Sequence, residues 1–236
     1  KEENGGPKLA MRTVNRNFQM NAERFVAINF FGLGNETVFD KSNGRTISYY
    51  RARFNMYTAE GLLRTKVGTH FNVYYGPTFN YYALDKDEND DNYLADFAHN
   101  GLDSVSIYKN KLYAGGKISA VIDTRNNLLI PTRGVLWTTT YTGNLGLQNY
   151  SYNTHQLTSD LSLYMSLTDP ANVVLVTRFG GGKIWGNYEY FQALSVGGTI
   201  NLRGYRNYRF SGNAMAYNNI EVRVKLFDIN AYLFPA

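Results

Sequence analysis

Strict two-residue alternation dominates the last well-patterned stretch of this 236-residue chain. From Asn218 onward, Asn219, Glu221, Arg223 and Lys225 are interleaved with Ile220, Val222, Val224 and Leu226. A β-strand sends successive side chains to opposite faces, so the charges fall on one side and the aliphatics on the other. The pattern recurs at Gln156 to Leu167, where Leu157, Leu161, Leu163, Met165 and Leu167 oppose Gln156, Thr158, Asp160, Ser162 and Tyr164. At Val173 to Gly182, Val173, Leu175 and Phe179 oppose Arg178, Gly180 and Gly182. Charged residues facing inward are costly in a sandwich core and ordinary in a water-filled lumen. These stretches therefore predict an all-β, transmembrane antiparallel β-barrel wall.

Earlier stretches extend the pattern. Leu9 to Phe18 and Phe25 to Phe31 read as two strands joined by a turn at Asn21-Ala22, followed by a polar loop from Gly32 to Arg45. A third strand spans Ser48 to Tyr57, with Tyr50, Ala52, Phe54 and Met56 opposite Tyr49, Arg51, Arg53 and Asn55. Val67 to Tyr82 reads as the longest strand; Pro77 lacks a ladder donor, so a bulge or local break is expected there. Asp85 to Ser106 is the longest loop. Strands follow at Leu112 to Asp123 and Val135 to Gly143, the latter with Trp137 and Tyr141 as interface anchors. With a last strand starting near Asn230, the count is about ten.

Composition agrees. Tyr and Phe number 20 and 14, as aromatic girdles at two membrane interfaces require; a Tyr-rich soluble sandwich is the competing explanation. No run approaches the ~18 apolar residues of a membrane helix, and mean hydropathy is negative, which barrel strands permit because alternate residues alone meet lipid. The formal charge is +5, but the basic residues are scattered singly, without the stripe that nucleic acid binding needs. There is no cysteine, so no disulfide framework exists. The first residues contain no signal-peptide h-region, and the chain is expected to be one barrel domain, residues 1–236, from a longer protein.

Gly197-Gly198-Thr199-Ile200-Asn201-Leu202-Arg203-Gly204-Tyr205-Arg206 has no period of its own and reads as a tight basic loop tip. Gly212-Asn213-Ala214-Met215-Ala216 follows, leading into the alternating strand. The pair resembles the barrel of the bacterial surface antigen family, the BamA/TamA-like outer-membrane assembly barrels. There a (V/L/I)-R-G-(F/Y) loop folds into the lumen ahead of a strand opening on G-N-A-M-A. The resemblance implies a loop lock of Leu202, Arg203, Gly204 and Tyr205, with Arg203 paired to Glu221. Arg51, Arg53, Asp160, Arg178, Glu221, Arg223 and Lys225 read as a lumen charge network, which either receives Arg203 and locks the loop or merely solvates a pore. The glycines at 180 and 182 are read as room for the inserted loop's backbone.

A second landmark, Asp123-Thr124-Arg125-Asn126-Asn127 through Pro131 and Gly134, resembles the family's D-x-R-(N/D)-x(3,4)-P-x-x-G periplasmic turn. Asn126-Asn127 would take a left-handed bend, Pro131 fix φ, and Gly134 start the next strand sharply. Counting hairpins from the Arg-Gly-Tyr loop puts this turn and Asp169-Pro170 on the periplasmic side, with long loops outside. Family barrels have roughly sixteen strands. This chain is expected to cover part of one, without the first and last strands and the periplasmic POTRA domains.

No enzyme constellation is present. His70, His99 and His155 are dispersed, and Gly180-Gly181-Gly182-Lys183 lacks P-loop spacing. Asp85 to Asp96 echoes a calcium loop, but Asp90 replaces the required glycine, and a solvated outer loop is the expectation. No metal or cofactor is expected. By resemblance the chain belongs in the bacterial outer membrane, in contact with its lipid. Its partners would be unfolded outer-membrane clients and accessory periplasmic or lipoprotein subunits. Two other readings keep the same fold: an anchor or export barrel fused to a soluble hydrolase, and a diffusion porin or receptor barrel.

Overall fold

The structure, a computed structural model, describes residues 11–40 and 46–226, with side chains from Ala27 onward. Eight antiparallel strands form one sheet: β1 (Met11–Asn29), β2 (Arg51–Val67), β3 (Phe71–Ala83), β4 (Lys111–Asp123), β5 (Gly134–Gly146), β6 (Thr154–Ser166), β7 (Val173–Gly186) and β10 (Ala214–Val224). Each pairs with its sequence neighbour, except that β7 pairs with β10 across a small inserted hairpin of β8 (Leu194–Val196) and β9 (Phe210–Gly212). Among the described residues β1 and β10 are the margins, each paired on one side. The observed wall is thus eight strands instead of about ten. The first two expected strands are one, and the segment from Asn230 lies outside the described residues.

The merger has a visible cause. Asn21 and Ala22 lie opposite Thr58 and Tyr57 in an unbroken ladder, so no turn occurs there. Register shifts between Thr13 and Asn15 and between Glu23 and Val26 instead disturb the alternation, as bulges do. Residues 48–50, expected as strand, belong to a turn of 3₁₀ helix (Ile47–Tyr50) before β2 begins. Val67 ends β2, and a turn at residues 68–70 leads into β3. At Pro77 the β3–β4 ladder is uninterrupted, while the β2–β3 ladder skips from Glu60–Thr78 to Leu63–Tyr75 without changing register. The result is a gap without a bulge, and a Cβ on Gly76 would lie 1.9 Å from the Gly61 carbonyl.

The outward face is apolar and bare. Phe79, Ile118, Phe179, Ile220 and Val222 are all about half exposed or more, which a folded chain tolerates over so wide an area only against lipid or a partner. The inward face carries the polar positions, among them Asn72, Thr78 and Ser119, all buried. The apolar core proper lies at the outer end, where Phe30, Ala52, Leu94, Ile107 and Tyr190 cluster. Phe191 stacks on Tyr82 at 4.1 Å between ring centres. Lys111, almost fully buried, donates to Glu189 Oε1 at 2.6 Å and to the Tyr150 carbonyl at 2.8 Å, pinning this aromatic segment over the sheet.

The outer loop 84–110 is more structured than a solvated loop. It includes a short helix α1 (Phe97–Asn100) and is built around Asn89, which is fully buried. Beyond the end of β3 the Asn89 amide takes the place of a neighbouring strand, accepting from Arg53 N and donating to the Arg53 carbonyl. Asn92 donates to the Arg51 carbonyl in the same way.

Removing one member of a buried ion pair strands the other's charge, at about 3–5 kcal/mol. Lys111→Met should therefore expose the segment around Tyr190 to protease and lower the thermal midpoint. The double variant Lys111→Met/Glu189→Met should recover much of the loss.

Candidate functional site

The site grows from the register of three strands. Asp160 on β6, Gly180 on β7 and Tyr217 on β10 lie in one inward-facing row. The next row holds Ser162, Arg178 and Asn219, and the one after it Tyr164, Val176 and Glu221. Alternation thus stacks the polar positions of three strands into one patch. Gly180 is what lets the first row close: a Cβ there would stand 2.0 Å from Cζ of Tyr217. The Tyr217 ring crosses the glycine, and its hydroxyl donates to Asp160 Oδ2, an aromatic covering a strand glycine. The space at residue 180 is therefore filled by this ring, not by the inserted loop's backbone. At Gly182 the neighbours are Thr158 and Leu194.

Arg178 is held from one side and reaches to the other. Its Nε donates to both oxygens of Asp160, at 2.9 and 2.8 Å, and its guanidinium lies 5.6 Å from the centre of the Tyr217 ring. The remaining fork is aimed at the loop: Nη1 donates to the Ile200 carbonyl at 2.7 Å. In the same row, Asn219 Nδ2 donates to the Asn201 carbonyl at 3.0 Å. Arg203 Nη1 then meets Glu221 Oε2 at 3.3 Å. The loop thus lies over β7 and β10, residues 200 and 201 held at one row and residue 203 at the next. A cleft of about 610 Å³ remains between them, lined by Ser162, Tyr164, Arg178, Arg203, Glu221 and Arg223 among others.

The loop carries its own shape to this surface. Asn201 Oδ1 accepts from Gly197 N and its Nδ2 donates to the Ser195 carbonyl, closing the tip upon itself. Gly198 has φ +80°, and a Cβ on it would strike the Asn207 amide at 1.7 Å. At the far end Arg209 donates to Thr37 Oγ1 at 2.9 Å and to its carbonyl at 2.6 Å, tying the returning strand to the first outer loop. Tyr205 packs on Phe210, ring centres 5.6 Å apart, and Leu202 is half-buried.

Magnitudes rank the three loop contacts. The Arg203 side chain is 73% exposed and its partner Glu221 receives a shorter bond, 2.6 Å, from Arg223. Exposed ion pairs contribute about 0.2–1 kcal/mol, so the Arg203–Glu221 contact is the weak one. The bond from Arg178 is charge-assisted and pre-oriented by Asp160, and hydrogen bonds to charged groups contribute about 1.5–3 kcal/mol. Arg178 is the stronger anchor.

Other expected site residues lie elsewhere. Arg51 and Arg53 are not in this network. They share the outward side of β2 with Tyr57 and Leu63, and Arg53 Nη1 donates to the Glu88 carbonyl of the outer loop. Their apolar neighbours Ala52 and Phe54 face inward because aromatic rings, not water, fill this end of the interior. Lys225 follows the last residue of β10 and pairs through its backbone with Asn172. Asp123, Arg125, Pro131 and Gly134 do form one turn between β4 and β5. Arg125 clamps Asp123 through Nε and Nη2 at 2.9 and 2.7 Å, Pro131 is buried, and Gly134 takes φ +112°. The expected left-handed bend at Asn126-Asn127 is absent. Asn126 Oδ1 instead accepts from Thr132 N and Arg133 N, and Asn127 Oδ1 from Leu129 N and Ile130 N.

Four contributors are not among the residues expected from sequence. Tyr217 and Asn219 share the face of Glu221, and period two would have found them. Lys111 and Glu189 meet across 78 positions with no local signal.

An antiparallel wall with an apolar exterior, a polar interior and a loop docked on its inward face defines a transmembrane β-barrel of the bacterial outer membrane. The Omp85 superfamily domain profile matches residues 11–234, and the chain belongs to that superfamily. Among solved structures it is similar to the crystal structure of BamA from Haemophilus ducreyi lacking POTRA domains 1-3. The TM-score is 0.58 at 18% identity, over 78% of this chain and 40% of that one. The chain therefore spans less than half the length of the BamA chain it matches. No curated protein matches it.

Gly180→Ala should drive the Tyr217 ring off Asp160, costing about 1–3 kcal/mol as overpacking does. Tyr217→Phe, which keeps the ring and loses only the hydroxyl, should cost about 1 kcal/mol. The midpoint of heat-modifiable gel migration measures both.

Proposed function

We propose that this chain is the wall and loop latch of a barrel that inserts outer-membrane proteins or translocates polypeptides across the outer membrane, without a chemical step. Its clients would be unfolded outer-membrane polypeptides, with accessory periplasmic or lipoprotein subunits as partners. What carries the reading is the docking of the Leu202-Arg203-Gly204-Tyr205 loop on the inward face of β7 and β10, in a chain of this superfamily. The loop folds into the lumen and fixes the wall on the side of β10. A strand seam elsewhere in the complete barrel templates the incoming chain by edge pairing.

Against a diffusion porin stands the apolar filling of the outer end, where Tyr82, Tyr190 and Phe191 pack together. A steady pore needs a water-lined path at that level. The fusion of such a barrel to a soluble hydrolase concerns sequence beyond this domain, and no described contact favours it.

In the intact protein, Arg178→Ala should free the loop more than Arg203→Ala or Glu221→Ala. Proteolysis within residues 197–209 reads this directly, and client insertion into proteoliposomes should fall in the same order. Equal protease resistance in all three variants, with unchanged insertion, would contradict the proposal.

A further inference from the structure

The outward face carries a feature that a plain lipid-facing wall does not need. On the six strands β3 to β7 and β10, no outward position carries an acidic or basic side chain except His155 and Lys183. A lysine facing hydrocarbon is expensive unless its charge reaches the interface or a counter-charge. Lys183 has no carboxylate partner among the described residues; its ammonium lies 5.9 Å from the centre of the Trp185 ring. His155 stacks on Tyr141, and its Nδ1 is 2.8 Å from the Tyr141 hydroxyl, leaving Nε2 for another partner.

These groups stand above a groove, His155 in the same cross-strand row and Lys183 in the row beside it. One cross-strand row on the outward face reads Pro77, Gly116, Gly143, His155 and Trp185. Three successive positions without a large side chain leave a depression of about 320 Å³, lined by Gly116, Ile118, Tyr141 and Gly143 among others. Flanking rows supply its walls: Ile118 and Tyr141 on one side, Phe79 and Leu145 on the other. Neither groove glycine needs to be glycine for its own backbone. Both have ordinary φ, and the nearest atom to an added Cβ would be 3.8 Å away at Gly116 and 3.5 Å at Gly143.

The row also climbs. Pro77 lies six positions above Phe71, at the start of β3, and Trp185 twelve above Val173, at the start of β7. With a rise of ~3.3 Å per residue and a tilt of ~40°, these offsets are about 15 Å and about 30 Å above the periplasmic turns. The row thus descends from the outer headgroup level at Trp185 towards the middle of the bilayer at Pro77, with the depression on its lower part around Gly116 and Gly143. A cation and an imidazole lie at the polar end, and a smooth apolar slot leads down from them. That is the shape and charge of a phosphate-bearing lipid.

We propose that this oblique groove binds one phosphorylated lipid of the outer leaflet, with its phosphate at Lys183 and His155 and an acyl chain across Gly143 and Gly116. The inference depends on the membrane placement of the wall and not on the assembly function proposed above.

The test uses the intact protein in neutral detergent, titrated with lipid A carrying its phosphates and with the dephosphorylated form, bound lipid being counted by native mass spectrometry. Wild type should hold the phosphorylated form the more tightly. Lys183→Gln should weaken that form by about fivefold and leave the other unchanged. Gly116→Leu, which fills the slot, should weaken both. Free inorganic phosphate at millimolar concentration should displace neither. Equal wild-type affinity for the two lipids overturns the proposal whether or not any variant folds. So does displacement by inorganic phosphate, or undiminished binding in folded Lys183→Gln and Gly116→Leu.

Discussion

One guanidinium carries most of the joint between wall and loop. Arg178 is fixed on β7 by the Asp160 carboxylate and gives its free fork to the main chain of the loop at Ile200. Its charge is tolerable inside the barrel because Asp160 neutralises it and Tyr217 covers it; in turn Tyr217 can lie there only because residue 180 has no side chain. Four residues on three neighbouring strands therefore make one interdependent unit. The Arg203–Glu221 contact adds register to the loop more than stability.

The loop is held along its whole course. Lys111 and Glu189 fix its entry and Arg178 and Asn219 its tip. Arg209 fixes its return to the first outer loop. Between entry and tip, Tyr190 and Phe191 fill the outer interior with aromatic rings. A chain segment held at three separated places by buried or charge-assisted bonds behaves as part of the wall. It is not the mobile lid that a run of glycines and arginines suggests in isolation.

The alternation legible in the sequence located β4 to β7 and β10 within a few residues, because one face of each meets lipid and the other water. It failed where that contrast fails. The sequence of β1 reads as two strands because its bulges break the period. Arg51 and Arg53 were assigned inward on polarity, yet at the outer end of β2 the interior is aromatic and the exterior is covered by a loop whose Asn89 and Asn92 complete the ladder. The Arg203–Glu221 contact was accessible through a motif and a two-residue count. The partnerships of Lys111, Asn89 and Arg209 were not, since each joins loops whose approach only the closed fold determines.

A direct measurement of the loop's place exploits the absence of cysteine from the chain. Ile200→Cys and Asn219→Cys put one thiol on the loop tip and one on β10, both on the same inward cleft. Treatment of the intact protein in outer membranes with a short thiol–thiol crosslinker should join them rapidly and nearly completely. A control pair placing the second thiol at Val222, exposed on the opposite face, should stay unlinked. No crosslink at 200–219, or equal crosslinking of the two pairs, would contradict a loop held against the inner wall.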